Sequence, residues 1–366
     1  MTRDGFKKIF LNAALVAGFS IGAFLLCEGV VRLMFKDTIV LFPRYQTDAQ
    51  YGDFTLRKIR PNETFRHTSP DGSWLFETNA QGFRNREDFD YAKPDGIVRV
   101  LVLGDSHTQG YEVRQDHTFS AIIEKYLDKN GHPAQVLNTG VSGFSTAEEL
   151  LFLENEGIKY DPDFVVVGFY ANDFEDNIKA GLFHLDEDGT LSITKNEYLP
   201  GIRAQNLIYS LPMMTWLGEH SYFYSMLFNG VWVFFKTKLA ADASQAAAEY
   251  AIPTQAKNSS YEIELAAALL ERMHTFCRAR GIPMIIVDIP RISGNSSIIP
   301  ELKERLPAMS DAYVDSGKLL ADYVGVAELH RPNGSQHITE FSHAILGVSA
   351  AKQIDDWLRS RDFADH

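Results

Sequence analysis

The chain has 366 residues, 45% hydrophobic and 23% charged, which suits a globular core of one large or two small domains and excludes a largely disordered chain. A formal net charge of -13 argues against a nucleic-acid partner held by phosphate contacts. Two cysteines, Cys27 and Cys277, make no disulfide framework, and no Cys/His spacing points to zinc, so neither metal nor cofactor is expected.

Ile9 to Leu26 is an apolar run whose only polar side chains are Asn12 and Ser20, and it continues past Glu28 to Phe35. A helix of that length spans a bilayer. Arg3, Lys7 and Lys8 before the run favour a cytoplasmic N-terminus, with Arg32 and Lys36 behind it. A cleaved signal peptide is the competing reading. No small-x-small site follows the run, and Leu26 before Cys27 does not suit a lipoprotein signal. The expectation is an uncleaved signal anchor over residues 1–36, contact with the membrane through 9–35, and the remaining chain on the periplasmic or outer side.

Residues 37–95 scatter Pro43, Pro61, Pro70 and Pro94 among polar and aromatic residues and read as an extended lead-in with short strands. Asn79-Ala80-Gln81-Gly82-Phe83-Arg84 reads as a glycine turn that places Phe83 in a core. From residue 96 to 360 strand and helix patterns alternate. Strands are expected at 98–103, 135–139, 164–169, 283–288 and 323–327, and helices at 117–129, 145–157, 260–280 and 341–358. Apolar runs flanked by helical stretches predict an α/β fold, an open parallel sheet covered on both faces in three layers. Such a sheet places its site at the carboxyl ends of its strands.

An insertion over 174–259 breaks the alternation. Asp186-Glu187-Asp188-Gly189 reads as a polar turn without the long acidic loop of a calcium site. Leu207 to Lys238 is rich in aromatics, among them Tyr209, Trp216, Phe223 and Trp232. They read first as helices packed on the sheet, and second as a cap or a membrane-lying surface. Ser221 to Phe235 is shorter than a bilayer-spanning helix, and Ala240 to Glu249 reads as a helical linker.

The strand run Val98 to Leu103 ends in Gly104-Asp105-Ser106-His107-Thr108-Gln109-Gly110, just before a helical pattern. A serine there is held rigidly, close to backbone N–H groups that can face developing negative charge. This stretch resembles the first block of the SGNH, or GDSL-type, serine hydrolases, with His107 as a variation after the serine. Asn138-Thr139-Gly140-Val141-Ser142-Gly143 resembles the second block, Gly168-Phe169-Tyr170-Ala171-Asn172-Asp173 the third, and His337-Ile338-Thr339 the last. The upstream stretch Asn79 to Arg84 resembles a segment of membrane-anchored bacterial members. The four blocks, in order from Gly104 to His343, cover most of the chain. The resemblance implies a flavodoxin-like SGNH hydrolase fold and ester hydrolysis. It implies Ser106 as nucleophile, His337 as general base, and Gly143 (backbone N–H) and Asn172 (side chain) as oxyanion donors. The α/β-hydrolase elbow, Gly-x-Ser-x-Gly, is not met by Gly104-Asp105-Ser106-His107-Thr108.

Asp105 is expected to fix the turn through side-chain hydrogen bonds, His107 to point elsewhere, and His343 to give structural support. The family usually carries an aspartate three residues before the histidine. Here Gly334, Ser335 and Gln336 precede it, with Asn333 one further back, and none is an acid. Three outcomes stay open: a Ser-His dyad oriented by a backbone carbonyl or the Ser335 hydroxyl, an acid from elsewhere in the fold, or no catalysis. The leading expectation is a membrane-anchored esterase acting on an O-acylated small molecule, lipid or carbohydrate, with acetyl esters of the envelope first. An O-acyltransferase using the same residues and a non-catalytic binding module are the alternatives.

Overall fold

The computed structural model describes residues 3–43, 45–231, 260–333 and 336–364. Helix α1 (Arg3–Phe35) opens the chain. None of its most apolar 18 residues is buried in the fold. Among the described residues it is the one helix long and apolar enough to cross a membrane.

Two hairpins follow, β1 (Gln46–Tyr51) with β2 (Phe54–Ile59), and β3 (Thr64–Ser69) with β4 (Gly72–Glu77). Phe65 and Phe76 sit opposite each other in register on the second hairpin and stack at 4.8 Å, so it has its own apolar face. The Asn79–Arg84 stretch is the glycine turn expected. Gly82 has φ +80, Asn79 Oδ1 accepts the N–H groups of Gln81 and Phe83, and Phe83 is buried.

The main sheet is built from β5 (Val98–Gly104), β6 (Ala134–Asn138), β7 (Phe164–Phe169), β11 (Met284–Asp288) and β12 (Ala312–Val314), in the order β12-β11-β7-β5-β6. All four pairings are parallel. Alternate residues feed two cores. Val100, Val102, Val166 and Val287 face α3 (Phe119–Lys129) and the C-terminal α13 (Glu340–Ala364). Leu101, Leu103, Val165, Val167 and Ile286 face α4 (Thr146–Asn155) and α9 (Ser260–Arg278). This is the three-layer, flavodoxin-like α/β fold read from the sequence, and its strand order reverses direction between β5 and β7, where such folds bind ligands.

The strand expected at 323–327 is not one. Gly325 there takes a left-handed φ of +76, and Val324 and Val326 are exposed. The fifth strand is β12, whose Ala312, Tyr313 and Val314 pair with Ile285, Ile286 and Val287.

The insertion begins with α5 (Asp173–Ala180) and the hairpin β8 (Phe183–Leu185) with β9 (Leu191–Ile193), whose turn is the Asp186–Gly189 stretch. Then β10 (Glu197–Tyr198) joins β2 in parallel, so lead-in and insertion share one sheet. Helices α6 (Ile202–Tyr209) and α7 (Met214–His220) pack on β1 and β3. Helix α8, described over 222–231, follows. Trp232, the Ala240–Glu249 linker, Gly334 and Ser335 lie outside the described residues. Short helices α10 (Pro300–Lys303), α11 (Leu306–Met309) and α12 (Ser316–Leu319) complete the β11-to-α13 connection.

Candidate active site

Strand β5 ends at Gly104, and Asp105 turns the chain by accepting the His107 N–H at 2.8 Å as N-cap of α2 (Ser106–Gln109). That helix is one turn long and closes on Gly110, at φ +83, whose N–H reaches the Ser106 and His107 carbonyls. Ser106 therefore stands at the first helical position, where the N–H has no partner within the helix. Close packing seats this turn. A Cβ on Gly104 or Gly168 would meet Thr108 Oγ1 at 2.0 or 2.2 Å, and one on Gly140 would meet Gln109 N at 2.5 Å. Glycine at the ends of β5 and β7, and just past β6, lets the nucleophile turn lie directly on the sheet edge.

His337 comes from the far end of the sequence, and its Nε2 lies 2.7 Å from Ser106 Oγ. The loop carrying it is tied down on both sides. Arg331 N–H donates to the His337 carbonyl at 2.8 Å, and Thr339 Oγ1 donates to the Glu328 carbonyl at 2.6 Å. Glu340, at the start of α13, takes a bidentate pair from Arg114 on the segment that follows α2. The imidazole is flanked by Tyr111, stacked at 4.9 Å, and by His107 at 4.6 Å. His107 thus packs against the histidine beside the serine instead of pointing elsewhere, because the α2 turn directs it toward Tyr170, 4.1 Å away. Burial, and then the neighbouring His337, hold His107 well below the ordinary histidine range, so it is a neutral wall. His343 is buried, accepts the Phe119 N–H through Nδ1 and stacks on Phe119, with burial driving its pKa down to about 3.

Gly143 sits in the loop after β6 at φ +80, and its N–H has no partner among the described residues. Three side chains fix this loop. Gln109 Oε1 accepts the Ser142 N–H at 2.9 Å while its amide donates to Tyr45 Oη, and Gln46 Nε2 donates to the Ser142 carbonyl at 2.7 Å. Arg57 Nη2 donates to the Gly143 carbonyl. The same guanidinium pairs in bidentate fashion with Glu148 at 3.0 and 2.9 Å, and Glu148 also accepts the Ser145 N–H in the capping box of α4. Burial alone would lower the Arg57 pKa, but the charge and hydrogen bonds of Glu148 hold it above its ordinary value. A second buried cation, Arg84 of the glycine turn, donates to the carbonyls of Gln109, Gly110 and Val113 and lies 4.3 Å from the Phe76 ring. Burial lowers its pKa to about 9.

Asn172 follows β7, on the same edge as Ser106, with its amide held by two carboxylates. Nδ2 donates to Asp105 Oδ2 at 3.1 Å and to Asp176 Oδ2 at 3.0 Å, while Oδ1 has no partner among the described residues. To reach an oxyanion above Ser106, one of these N–H groups has to leave a carboxylate. Buried acids lie beneath it. Burial pushes Asp105 up to about 7, against the hydrogen bonds from His107 and Asn172 that favour its ionised form. Burial and the nearby Asp105 push Glu149 well up, and burial and Glu149 do the same to Asp173.

The structure thus brings Ser106 and His337 into direct contact and places Gly143 and Asn172 after the neighbouring strands β6 and β7. Arg57, Gln46 and Tyr111 were not singled out in the sequence, and Gln109 was marked only as part of the Gly104–Gly110 stretch. A lone arginine on an alternating strand carries no signal of a partner 91 residues away. Arg84 lay inside a stretch the sequence did mark.

Residues 102–342 match the family model described as the GDSL-like Lipase/Acylhydrolase family. An arylesterase of Vibrio mimicus is 31% identical over 75 residues, 20% of this chain and 38% of that protein, so the match spans well under half of that relative. Among solved structures, an acetylxylan esterase of Geobacillus stearothermophilus, a catalytic histidine mutant, aligns at TM-score 0.39 and 14% identity over 70% of this chain and 94% of that one. A psychrotrophic esterase of Pseudoalteromonas sp. aligns at 0.39 and 13% over 71% and 98%. A two-domain esterase active on acetylated mannans aligns at 0.38 and 12%, over 71% of this chain and 49% of that one.

Proposed function

Since this chain belongs to the GDSL-like lipase/acylhydrolase family, we propose that it is an esterase and works as a membrane-anchored serine acylhydrolase through Ser106 and His337. The observation that carries this reading is the 2.7 Å contact between His337 Nε2 and Ser106 Oγ. In the proposed cycle Ser106 Oγ attacks the acyl carbon as His337 Nε2 takes its proton. The tetrahedral oxyanion is met by the N–H groups of Ser106 and Gly143, and by Asn172 once its amide turns from Asp105 or Asp176. Collapse expels the alcohol, which receives the proton from His337, and leaves an acyl-serine. Water then attacks with His337 again as base, and collapse returns that proton to Ser106 Oγ as the acid departs.

Read as an anchor with a cytoplasmic N-terminus, α1 supports an active domain at the periplasmic or outer face, and the substrate proposed is an O-acyl ester, acetyl first, of an envelope carbohydrate or lipid. The test is labelling by a fluorophosphonate probe, followed by acetate release from acetylated oligosaccharides. Wild type is expected to label, and Ser106→Ala to remain unlabelled. Labelling that survives Ser106→Ala would refute the nucleophile. Acetate release that falls on adding a sugar acceptor, with acetylated acceptor appearing instead, would make the enzyme an O-acyltransferase.

A further inference from the structure

Outside α1, seven of the fifteen exposed large apolar side chains among the described residues fall between 207 and 231: Leu207, Leu211, Met213, Trp216, Met226, Leu227 and Val231. A soluble surface scatters such residues, whereas a run of them marks a face with a partner. What fixes the partner is where this run is tied. Glu28, near the end of α1, accepts hydrogen bonds from Ser221 Oγ at 2.8 Å and from the N–H groups of Tyr222 and Phe223 at 3.2 and 2.9 Å, at the start of α8. Arg32 donates to the His220 carbonyl at 2.8 Å and lies over the Tyr222 ring. One turn before Glu28, Phe24 meets Phe223 edge-on at 5.5 Å. The same junction is held to the lead-in, since Arg66 N–H donates to Glu219 at 2.7 Å.

The level of that junction follows from helix geometry. Ile9 to Leu26 rises about 27 Å at ~1.5 Å per residue, close to the ~30 Å hydrocarbon core of a bilayer. Glu28 then lies about 3 Å beyond the core, and Phe24 and Phe223 lie at its edge. Trp216 is five residues before Ser221, within about 8 Å along the helix rise of the same boundary. An exposed tryptophan at that depth fits the interfacial layer, where its ring meets both acyl chains and headgroups.

We propose that the exposed apolar side chains of α6, α7 and α8 sit in the interfacial layer of the bilayer that α1 crosses, so the insertion is a second, monotopic membrane contact. This rests on the reading of α1 as an anchor. A bilayer is the occupant because the surface continues directly from a helix none of whose most apolar 18 residues is buried in the fold. Net charge of -13 sets the expected lipid as zwitterionic, held by apolar burial and not by headgroup charge.

The experiment uses the full chain in phosphatidylcholine nanodiscs, with bromine placed near the headgroup end of the acyl chains or at their middle. Subtracting the emission of Trp216→Phe from that of wild type isolates Trp216. Shallow bromine is expected to quench more than half of this component and mid-chain bromine less, and ester hydrolysis by Trp216→Phe is expected to match wild type. An unquenched Trp216 in protein that resists alkaline carbonate extraction would overturn the second contact while leaving the anchor intact. Release by carbonate would overturn the anchor and this proposal together.

Discussion

Arg57 offers a way to separate fold from catalysis. It is buried, as is its partner Glu148, and the same guanidinium holds the Gly143 carbonyl. Replacing Arg57 by Met leaves a carboxylate buried without its counter-charge, which costs about 3–5 kcal/mol of stability. Removing that carboxylate too, in Arg57→Met with Glu148→Leu, should recover most of the loss, because apolar side chains of similar size often replace a buried ion pair at little cost. The shortfall should be about 1 kcal/mol, the worth of the capping box that Glu148 gives Ser145. Catalysis should not recover. The Gly143 loop still lacks its charged donor, a bond worth roughly 1.5–3 kcal/mol. If that bond holds the Gly143 N–H toward the oxyanion, kcat should fall roughly tenfold to a hundredfold with KM little changed, less than the ~100- to 1000-fold of losing a donor outright. Urea unfolding gives the stability and steady-state hydrolysis of an activated acetyl ester gives kcat. A double variant of restored stability and wild-type kcat would refute the reasoning, since Arg57 would then serve the fold alone.

Other outcomes follow from single contacts. Ser106→Ala and His337→Ala should each abolish most hydrolysis with stability little changed, and either variant retaining near-wild-type kcat in the same assay would exclude that residue. Asn172→Ala should lose roughly 2.7–4 kcal/mol of transition-state stabilisation, mainly in kcat, and an unchanged kcat with raised KM would restrict Asn172 to substrate binding. Glu149 has a folded pKa raised by burial, so its contribution to stability is complete below the unfolded value of 4.5 and is lost as pH rises toward the folded one. Glu149→Gln should therefore flatten the fall in Tm as pH rises above about 4.5, and an unaltered slope would place the cost elsewhere. At Glu340 burial raises the pKa, but hydrogen bonds and charge from Arg114 prevail and bring it to about 2. That stability is complete above pH 4.5 and lost as pH falls through about 2, so Glu340→Gln should lower Tm near neutrality and leave it unchanged at the acid end.

The elements most legible in the sequence were those where one local pattern decides the structure. Phe164 to Phe169 is apolar throughout because both faces of β7 are buried, and the expected bounds match the strand. The helix expected over 145–157 begins where α4 does, and in the structure Ser145 and Glu148 form its capping box. The strand expected over 323–327 failed because its apolar letters lie on a surface turn, while the true edge strand is only three residues long, too short to leave a period. At the candidate site the residue types were legible but their company was not. The Asn172 amide faces Asp105, 67 residues earlier, and Asp176. The guanidinium that grips Gly143 comes from a strand 86 residues before it. Contacts of that span depend on how separate elements pack, and no window of sequence contains them.

The tie between α1 and α8 has a consequence for biogenesis. Glu28 finds Ser221 and Phe223 only after about two hundred more residues have been made. In the anchor reading proposed above, α1 holds a carboxylate at the edge of the hydrocarbon during that interval, where an unpaired charge is costly. Arg32 lies one turn on, and its guanidinium is 2.9 Å from Glu28. This local pair needs nothing beyond residue 32, so it can neutralise Glu28 from the moment the helix forms. When the later segment arrives, Glu28 keeps Arg32 and gains the hydroxyl and the two N–H groups. The arginine thus acts as a temporary chaperone for its neighbour, and a neutral residue at position 32 should show its first defect in membrane insertion of the nascent chain, before any defect in the finished enzyme.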